Sequence, residues 1–406
     1  MGILTLCAPK NNIETLGKLS LTNPGTGLPY VGSAVWLSLH ELSYSESFLR
    51  KNLYAIGKFY RHVAKKMDDP NGLDRLLIDS ANIQGLTTHV RTFVGELQNL
   101  SAISKVDHSR TLRRVVRFID VVATEFAYRK SHSSGDISVI KREASKLQVL
   151  YKFLKPPQFQ KKVPIRSVPR DVLEEIFDRA SPDCPENTAR LQKLARRNYL
   201  IINLFFLVGL RKGELLNLET DSFHSEYCPD EQRQIYWLNV KESTRPDPRV
   251  RSPKLKNKNS QRQLPISNEL YNMCLSYIGN WRGRCSHSFL IISVNGSPLA
   301  ERSLNEIFVP INQCLSSHSK DLLFQKTGRN RISPHSLRHS SAVYRMKSYK
   351  NMGLEISHAE ALMRAFYGWS KNSKMPAHYA RAFYEEQLIT VWGGQFDALV
   401  SQFSSQ

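Results

Sequence analysis

Cationic and imidazole side chains are concentrated in RISPHSLRHSSAVY, a stretch that begins at Arg331. His335 and Arg338 lie three residues apart, so on a helix they share one face. The preceding Ser333-Pro334 pair is typical of a helix start, and a helix N-terminus favours anions. A guanidinium binds oxyanions, and an imidazole exchanges protons near neutral pH. The stretch therefore predicts a site that binds an anionic group and moves a proton.

Three other stretches carry similar side chains. They are GLRKGELLNL (209–218), LKNKNSQRQLPI (255–266) and FYGWSKNSKMPAHYAR (366–381). Each alone is weak evidence, because arginines after apolar helices are commonly caps and lysine-rich loops are commonly just solvated. A tyrosine near the end of a chain is likewise more often packed than reactive. The four stretches become informative only in combination and in this order.

Together the four stretches resemble the tyrosine recombinases, or phage-type integrases. Arg211 in GLRKGELLNL matches the first arginine of that family, with Glu214 three residues later. In HSLRH, His335 and Arg338 match the second box, with His339 in support. The resemblance covers about residues 190–385. The region before it fits the family's core-binding domain by architecture and charge only.

The other two stretches extend the resemblance. In KNKNSQRQLPI, Lys256 matches the catalytic lysine of the family's β-hairpin, and Lys254 and Lys258 compete with it for this role. The segment between Glu214 and Lys256 is long, and HSEYCPDEQ and STRPDPRVRS within it look like insertions. Lys254, Lys258 and Arg262 are expected to contact DNA.

The last stretch supplies the nucleophile that the resemblance implies. Trp369 follows Gly368 at a position where histidine is commoner in the family, and Tyr379 stands at the expected distance beyond it. Tyr367 and Tyr384 are rivals, but only Tyr379 has this spacing.

The resemblance implies cleavage and rejoining of double-stranded DNA through a covalent 3′-phosphotyrosine, and the residue types agree. Arg211 and Arg338 would bind the phosphate oxygens as the phosphorane gains charge. A phenol has a pKa of about 10, so Tyr379 needs help to lose its proton, and His335 is the candidate acceptor. Lys256 would protonate the leaving 5′-oxygen.

The expected chemistry needs no metal and no cofactor. Positive side chains would replace the metal, and the phosphotyrosine would conserve the bond energy needed for rejoining. The indole N–H of Trp369 would donate to a phosphate oxygen. Neither a P-loop nor a GxGxxG motif occurs in the sequence.

The composition favours a nucleic-acid partner. The 406 residues include 57 Lys+Arg against 36 Asp+Glu, a formal net charge of +21 that attracts a polyanion. The longest apolar run, YLIINLFFLVGL, has 12 residues and is too short to cross a bilayer, so no membrane partner is expected. The six dispersed cysteines form no CxxC pair, and together with the lack of a signal peptide they predict free thiols in the cytoplasm.

Two basic helices are predicted in the first part of the chain. One begins at SYSESFLRK with a capping box formed by Ser43 and Glu46. Its apolar stripe is Leu49, Leu53, Ile56, Tyr60 and Val63. The second covers HSRTLRRVVRFIDVVATEFAYR and has the apolar side Leu112, Val115, Ile119 and Val122. Its other side carries arginines with no acidic partner four residues away, which favours phosphate contact: Arg110, Arg113, Arg114 and Arg117.

The predicted fold is an α-helical N-terminal core-binding domain followed by a mixed α+β catalytic domain, mainly helical with a small antiparallel sheet. RQIYWLNVKES and RQLPIS are its predicted strands, on either side of a flexible basic loop. The predicted ranges are 1–29 for an irregular segment, 30–155 for the helical DNA-binding domain, 156–168 for a linker, 169–392 for the catalytic domain and 393–406 for an exchange helix.

A site-specific recombinase or integrase is the leading prediction, assembled as a homo-tetramer on DNA, with room for an accessory DNA-bending factor. A type IB topoisomerase shares the chemistry and is the second reading. A DNA-binding relative that has lost catalysis is the third, although all the key residues are present. The apolar spacing in QFDALVSQF after Gly393-Gly394 fits either a helix that folds back or one that docks on a neighbouring protomer.

Overall fold

The computed structural model describes residues 19–78, 83–99, 105–130, 146, 149, 167–189, 191–249, 252–256 and 258–391. The chain divides into two units, Met1–Lys161 and Lys162–Gln406, called here the N-terminal unit and the C-terminal unit. The predicted exchange helix and nearly all of the predicted linker lie outside the described residues. The sequence also predicts a helix over KREASKLQVLYKFL (141–154), and most of this stretch lies outside the described residues too. Their boundaries therefore stay predictions.

Amphipathic helices form the described part of the N-terminal unit. They are α1 Val31–His40, α2 Glu46–Met67, α3 Gly72–Ile78, α4 Ile83–Asn99 and α5 Lys105–Lys130. Every residue of the two predicted apolar stripes is at most 4% exposed. The stripes meet in one core with apolar residues of α1, α3 and α4. The prediction of two amphipathic helices here is confirmed.

The predicted cap of α2 is wrong by two residues. The N-cap is Ser45, and its Oγ accepts a hydrogen bond from the backbone N–H of Phe48. Glu46 is the first residue of the helix and pairs with Arg50 one turn later. A Ser-x-x-Glu spacing marks a candidate cap, but the turn after α1 decides which serine meets the free N–H groups.

The arginine face of α5 departs from the prediction in one respect. Arg110, Arg113 and Arg117 are exposed, and Arg114 is half-buried. Arg110 Nη1 lies 3.1 Å from Asp107 Oδ1, so this arginine has an acidic partner three residues earlier rather than four. The other three form no ion pair among the described residues.

The C-terminal unit is mainly helical and contains one small sheet, as predicted. Before and within the sheet region lie α6 Arg170–Ala180, α7 Gln192–Asn203, α8 Lys212–Leu216, β1 Phe223–Cys228, β2 Arg233–Val240 and β3 Arg262–Pro265. After it lie α9 Asn268–Ser276, α10 Glu301–Glu306, α11 Phe308–Cys314, α12 Ser317–Thr327, α13 Pro334–Asn351, α14 Ile356–Tyr367 and α15 Met375–Val391.

The sheet has one strand more than the sequence predicts. The order is β1-β2-β3, and both pairs are antiparallel. β1 overlaps HSEYCPDEQ, which looked like an insertion because the segment between Glu214 and Lys256 is long. Beyond Phe223 the side chains of β1 are mostly exposed. An edge strand with one weakly buried face lacks the apolar alternation that predicts strands.

The basic connection between β2 and β3 is fixed at several points, which corrects the prediction of a flexible loop. Arg249 is held by Asp247 and donates to the carbonyls of Leu216 and Leu299. Asn217 Nδ2 donates to the carbonyl of Pro253 over 2.7 Å. These contacts bring the segment that precedes Lys256 against the end of α8.

A sharp turn carries the chain from the buried α7 to Arg211. α7 continues as a π-helical turn, Leu204–Val208, which ends at Gly209 with φ of +64°. A Cβ at this position would lie 2.4 Å from Cε1 of Tyr367. Only glycine satisfies both the backbone conformation and the close approach.

Among the described residues, no helix is both long and apolar enough to cross a bilayer. Cys184, Cys228, Cys274, Cys285 and Cys314 are unpaired, which confirms the free-thiol prediction for these five. Cys7 lies outside the described residues.

Candidate active site

One cleft in the C-terminal unit brings together all six side chains predicted to be catalytic. Its lining includes Arg211, Lys256, His335, Arg338, Trp369 and Tyr379. These residues are spread over about 170 positions of sequence and come from α8, the β2–β3 connection, α13 and the region of α15. Lys212 and His339 also line the cleft. The described lining carries four Lys or Arg side chains and no carboxylate, so the cleft suits an anion.

A buried carboxylate organises the cations below this surface. Glu214 is 1% exposed and accepts from the guanidiniums of Arg211 and Arg262, the latter over 3.1 Å. Arg338 Nη1 lies 3.6 Å from the same carboxylate. Glu214 also accepts from the backbone N–H of Arg211, which starts α8. Burial alone would raise the pKa of Glu214, but the three guanidiniums hold it below its usual value.

Two glycines in left-handed conformation turn their carbonyls toward the two predicted clamp arginines. The carbonyl of Gly209 accepts from Arg338 Nη1, and that of Gly368, with φ of +58°, accepts from Arg211 Nη2 over 3.3 Å. A Cβ on Gly368 would lie 2.7 Å from the carbonyl oxygen of Asn259. Gly209 lies in the motif of Arg211 but accepts from Arg338, whereas Gly368 lies in the motif of Tyr379 but accepts from Arg211.

Arg338 is buried and packed as well as hydrogen-bonded. It donates to the carbonyl of Tyr367 over 2.9 Å, and its guanidinium lies 5.1 Å from the ring centroid of that tyrosine. Desolvation, reinforced by nearby Arg211, lowers the pKa of Arg338 to about 10, and Glu214 opposes this shift. The guanidinium therefore remains charged at neutral pH.

The phenol of Tyr379 meets His339 rather than His335. Its hydroxyl is hydrogen-bonded to Nδ1 of His339, and Nε2 of His339 lies 2.7 Å from Nε2 of His335. The prediction that His335 is the direct partner of the nucleophile therefore differs from this geometry. His339 stands one helical turn after His335 on α13, which places it deeper in the cleft.

Aromatic stacking fixes the ring of Tyr379. Trp369 lies between two tyrosines, 4.9 Å from Tyr367 and 5.5 Å from Tyr379 between ring centroids, with interplanar angles of 19° and 12°. Tyr367 is itself fully buried and hydrogen-bonded to Ser341 Oγ over 2.7 Å. Burial of Tyr379 raises the pKa of its phenol well above the usual value. The nucleophile candidate is thus held rigidly in its protonated form.

The family model described as "Phage integrase family" matches residues 167–386, more than half of the chain. The chain belongs to the phage integrase family. The resemblance inferred from the motifs is thereby confirmed.

Two further similarities place this phage integrase family chain among known proteins. It is 22% identical to the tyrosine recombinase XerC of Staphylococcus haemolyticus (strain JCSC1435) over 180 residues, 44% of this chain and 48% of the relative. The match thus spans about half the length of that relative. A crystal structure of the XerH site-specific recombinase, bound to palindromic difH substrate in a post-cleavage complex, has a TM-score of 0.50 at 14% identity. It covers 86% of this chain and 80% of the other, and supports the fold alone.

Arg262 has a different environment from that predicted for a DNA contact. Its side chain is 8% exposed and donates to Phe366 O over 2.6 Å, Ser260 O over 2.7 Å and Glu214. These internal partners make Arg262 a support for the carboxylate. The lysine-rich context led to the prediction that Arg262 contacts DNA, because sequence alone does not show that β3 lies beneath α14.

The lysines of the basic connection are separated by the structure. Lys256 is exposed and lines the cleft, whereas exposed Lys254 lies outside the lining. The backbone carbonyl of Lys254 would be 2.8 Å from a Cβ on Gly213, so the chain passes close to α8 there. Lys258 begins the 3₁₀ turn Lys258–Ser260. This arrangement favours Lys256 over Lys254.

Three residues that support the site were not identified from the sequence. Tyr367 was considered only as a rival nucleophile, although it packs beneath both Arg338 and Trp369. Gly209 and Gly368 were treated as motif positions without a function. The sequence did offer one signal for the two glycines. Gly209 lies two residues before Arg211, and Gly368 lies immediately before Trp369. A glycine next to a candidate site residue marks a positive φ or a close approach.

Substitution of Glu214 by Gln tests the dependence of the cation cluster on its carboxylate. Removal of one charge from a buried, multiply paired cluster should destabilise the C-terminal unit by about 3–5 kcal/mol. Glu174→Gln, which breaks an exposed pair with Arg170, is the matched control and should change little. Urea unfolding monitored by near-ultraviolet circular dichroism measures both variants.

The pH dependence of unfolding gives a second readout for Glu214. Because its folded pKa is lowered, the stabilisation is present above the unfolded pKa of about 4.3 and disappears as pH falls through the folded pKa. The wild-type chain should therefore lose stability in acid more steeply than Glu214→Gln. Equal acid sensitivity of the two proteins would contradict this account of the cluster.

Proposed function

We propose that the protein is a site-specific DNA recombinase that cleaves and rejoins strands through a covalent 3′-phosphotyrosine. The observation that carries the proposal is the convergence of Tyr379, two guanidiniums, a lysine and two imidazoles in one cationic cleft. Family membership supports the same class of reaction.

Arg211 and Arg338 would stabilise the charge that develops on the scissile phosphate. Both guanidiniums are already fixed by Glu214 and by glycine carbonyls, so little reorganisation is needed when the phosphorane forms. Arg338 uses two of its five N–H groups on backbone carbonyls, which leaves others for an anion. The cluster supplies the positive charge that metal ions supply in other phosphoryl-transfer sites.

Tyr379 would attack the phosphorus and Lys256 would protonate the leaving 5′-oxygen. The phenol is held by Trp369 and His339, whereas Lys256 is exposed at the mouth of the cleft, where a duplex would arrive. Trp369 supports the nucleophile by stacking, in addition to the predicted donation from its indole N–H to a phosphate oxygen. Rejoining is the reverse reaction and uses the bond energy kept in the phosphotyrosine.

Tyr379→Phe should abolish covalent attachment to a DNA duplex nicked near the cleavage site while DNA binding persists. Only the attacking oxygen is removed, and the stacking surface remains. Tyr384→Phe is the control, because Tyr384 lies on the same helix outside the cleft lining. Denaturing gel electrophoresis detects the adduct, and a filter assay measures binding. An adduct that survives in Tyr379→Phe and is lost in Tyr384→Phe would reverse the assignment.

The same assay separates the alternative functions. Relaxation of supercoiled plasmid without exchange between two sites would favour a type IB topoisomerase. Binding without any adduct in the wild-type chain would favour a relative that has lost catalysis.

The arginine face of α5 is proposed as a phosphate-binding surface of the N-terminal unit. Replacement of Arg113, Arg114 and Arg117 by alanine should reduce the slope of log K against log salt by about 0.9 for each phosphate that is no longer neutralised. Arg110→Ala should change it less, because Asp107 already compensates that charge. Fluorescence anisotropy across a salt series gives the slopes. An unchanged slope in the triple variant would assign these arginines to a merely solvated face.

Assembly as a tetramer on two DNA sites, a cytoplasmic location and use of an accessory DNA-bending factor stay predictions. The segment 393–406, on which the proposed docking between protomers depends, lies outside the described residues. Deletion of residues 394–406 should leave single-site binding intact and prevent assembly of four protomers, measured by sedimentation of the DNA complex. Full assembly by the truncated chain would contradict the exchange-helix prediction.

A further inference from the structure

Three side chains form a hydrogen-bonded row from the interior of the C-terminal unit to its surface. Tyr379 is 2% exposed, His339 is half-buried and His335 is exposed. The phenol is hydrogen-bonded to His339 Nδ1, and the Nε2 atoms of the two imidazoles lie 2.7 Å apart. His339 therefore separates the nucleophile candidate from the ring that the family motif designates.

The direction of each hydrogen bond follows from the protonation states. The buried phenol keeps its proton and donates it to Nδ1 of His339, because burial raises its pKa. Desolvation, then the proximity of His335 and Arg329, lowers the pKa of His339 to about 4, so this imidazole is neutral at pH 7. A neutral imidazole that accepts at Nδ1 carries its hydrogen at Nε2. That hydrogen points to Nε2 of His335.

We propose that His339 and His335 form a proton relay that carries the phenolic proton of Tyr379 to solvent during strand cleavage. The proposal rests on the function proposed above. As the tyrosine oxygen bonds to phosphorus, the bond from phosphorus to the 5′-oxygen breaks. The phenolic proton passes to Nδ1 of His339, and the Nε2 proton of His339 passes to Nε2 of His335. His335 then releases its Nδ1 proton to water, and rejoining runs these steps in reverse.

The charges around the two rings explain why a second imidazole is needed. A cation kept on His339 would stand near Arg329 and Arg338 in a partly desolvated position. His335 lies nearer the surface than His339, so it can pass the proton on to water. Partial desolvation, and then the charges of Arg329, Arg338, Lys212 and Lys256, lower the pKa of His335, which disfavours a lasting cation and promotes release of the proton. His339 is thus a catalytic residue, and His335 acts through it.

Single-turnover cleavage of a nicked duplex by the full-length chain tests the relay. His339→Asn places an amide near the Nδ1 position but transfers no proton, so cleavage should fall by about 10²- to 10⁴-fold. His335→Ala should also slow cleavage, and added imidazole should restore this variant but not His339→Asn. His378→Ala is the matched control, an exposed histidine adjacent to Tyr379 on α15, and should cleave at the normal rate.

A substrate with sulfur in place of the leaving 5′-oxygen distinguishes the relay from protonation of the leaving group. A thiolate leaves without a proton, so this substrate should restore Lys256→Ala and leave His339→Asn impaired. The variants and the wild type should have equal thermal unfolding midpoints and equal DNA affinities. Differences in cleavage rate then report catalysis and not folding.

Several outcomes would overturn the relay. Normal cleavage by His339→Asn with loss in His335→Ala would make His335 the direct acceptor. Restoration of His339→Asn by the sulfur substrate would assign His339 to the leaving group. A His335→Ala defect that imidazole leaves unchanged would restrict His335 to positioning its neighbour. No adduct in the wild-type chain would instead reject the proposed function itself.

Discussion

The pairing of one buried carboxylate with three guanidiniums is the interaction on which the candidate site depends. Glu214 lies below the cleft and holds Arg211, Arg262 and Arg338 in fixed positions. Without this charge, three cations would repel one another in a partly desolvated space, and the side chains would turn toward solvent. The carboxylate therefore both neutralises the cluster and holds two of its members, Arg211 and Arg338, at the cleft.

Backbone segments of the surrounding fold lie close to this cluster and complete its hydrogen bonds. Gly209 ends the π turn after α7, and Gly368 ends α14, each with a positive φ. Their carbonyls complete the hydrogen bonding of Arg338 and Arg211. The sheet adds the third part, because β3 carries Arg262 beneath the end of α14. The motifs are far apart in sequence but depend on one another for hydrogen bonds. A substitution in one motif should therefore shift the arginine of another.

Much of the fold and most of the site could be predicted from the sequence. The apolar stripe that includes Leu53 and Ile56 predicts an amphipathic helix, and the residues at the start of α13 predict a helix N-terminus. Both patterns are local in sequence and can be interpreted directly. The family motifs identified the six side chains that line the cleft. By contrast, β1 was missed because an exposed edge strand lacks apolar alternation. The burial of Arg262 was not predicted, because it depends on long-range contacts.

The hydrogen-bond partner of Tyr379 likewise could not be predicted from the sequence. Spacing on α13 indicated that His335 and His339 are neighbours, which the structure confirms. It did not indicate which ring meets Tyr379, since that depends on how α15 packs against α13. The stacking of Trp369 between two tyrosines was likewise invisible in the sequence. Residue types and spacing thus predicted which groups meet in the cleft, whereas packing determined their order.

A double comparison of protein and substrate tests most directly whether the carboxylate-organised guanidiniums act on the scissile phosphate. One non-bridging oxygen of that phosphate is replaced by a methyl group, which removes its charge, and cleavage is measured for the wild type and Arg211→Ala. On the natural phosphate, Arg211→Ala should lose about 10²- to 10³-fold in rate. On the neutral substrate the same substitution should cost far less, because the charge that Arg211 binds is gone. An equal loss on both substrates would show that Arg211 maintains structure and does not stabilise the phosphorane.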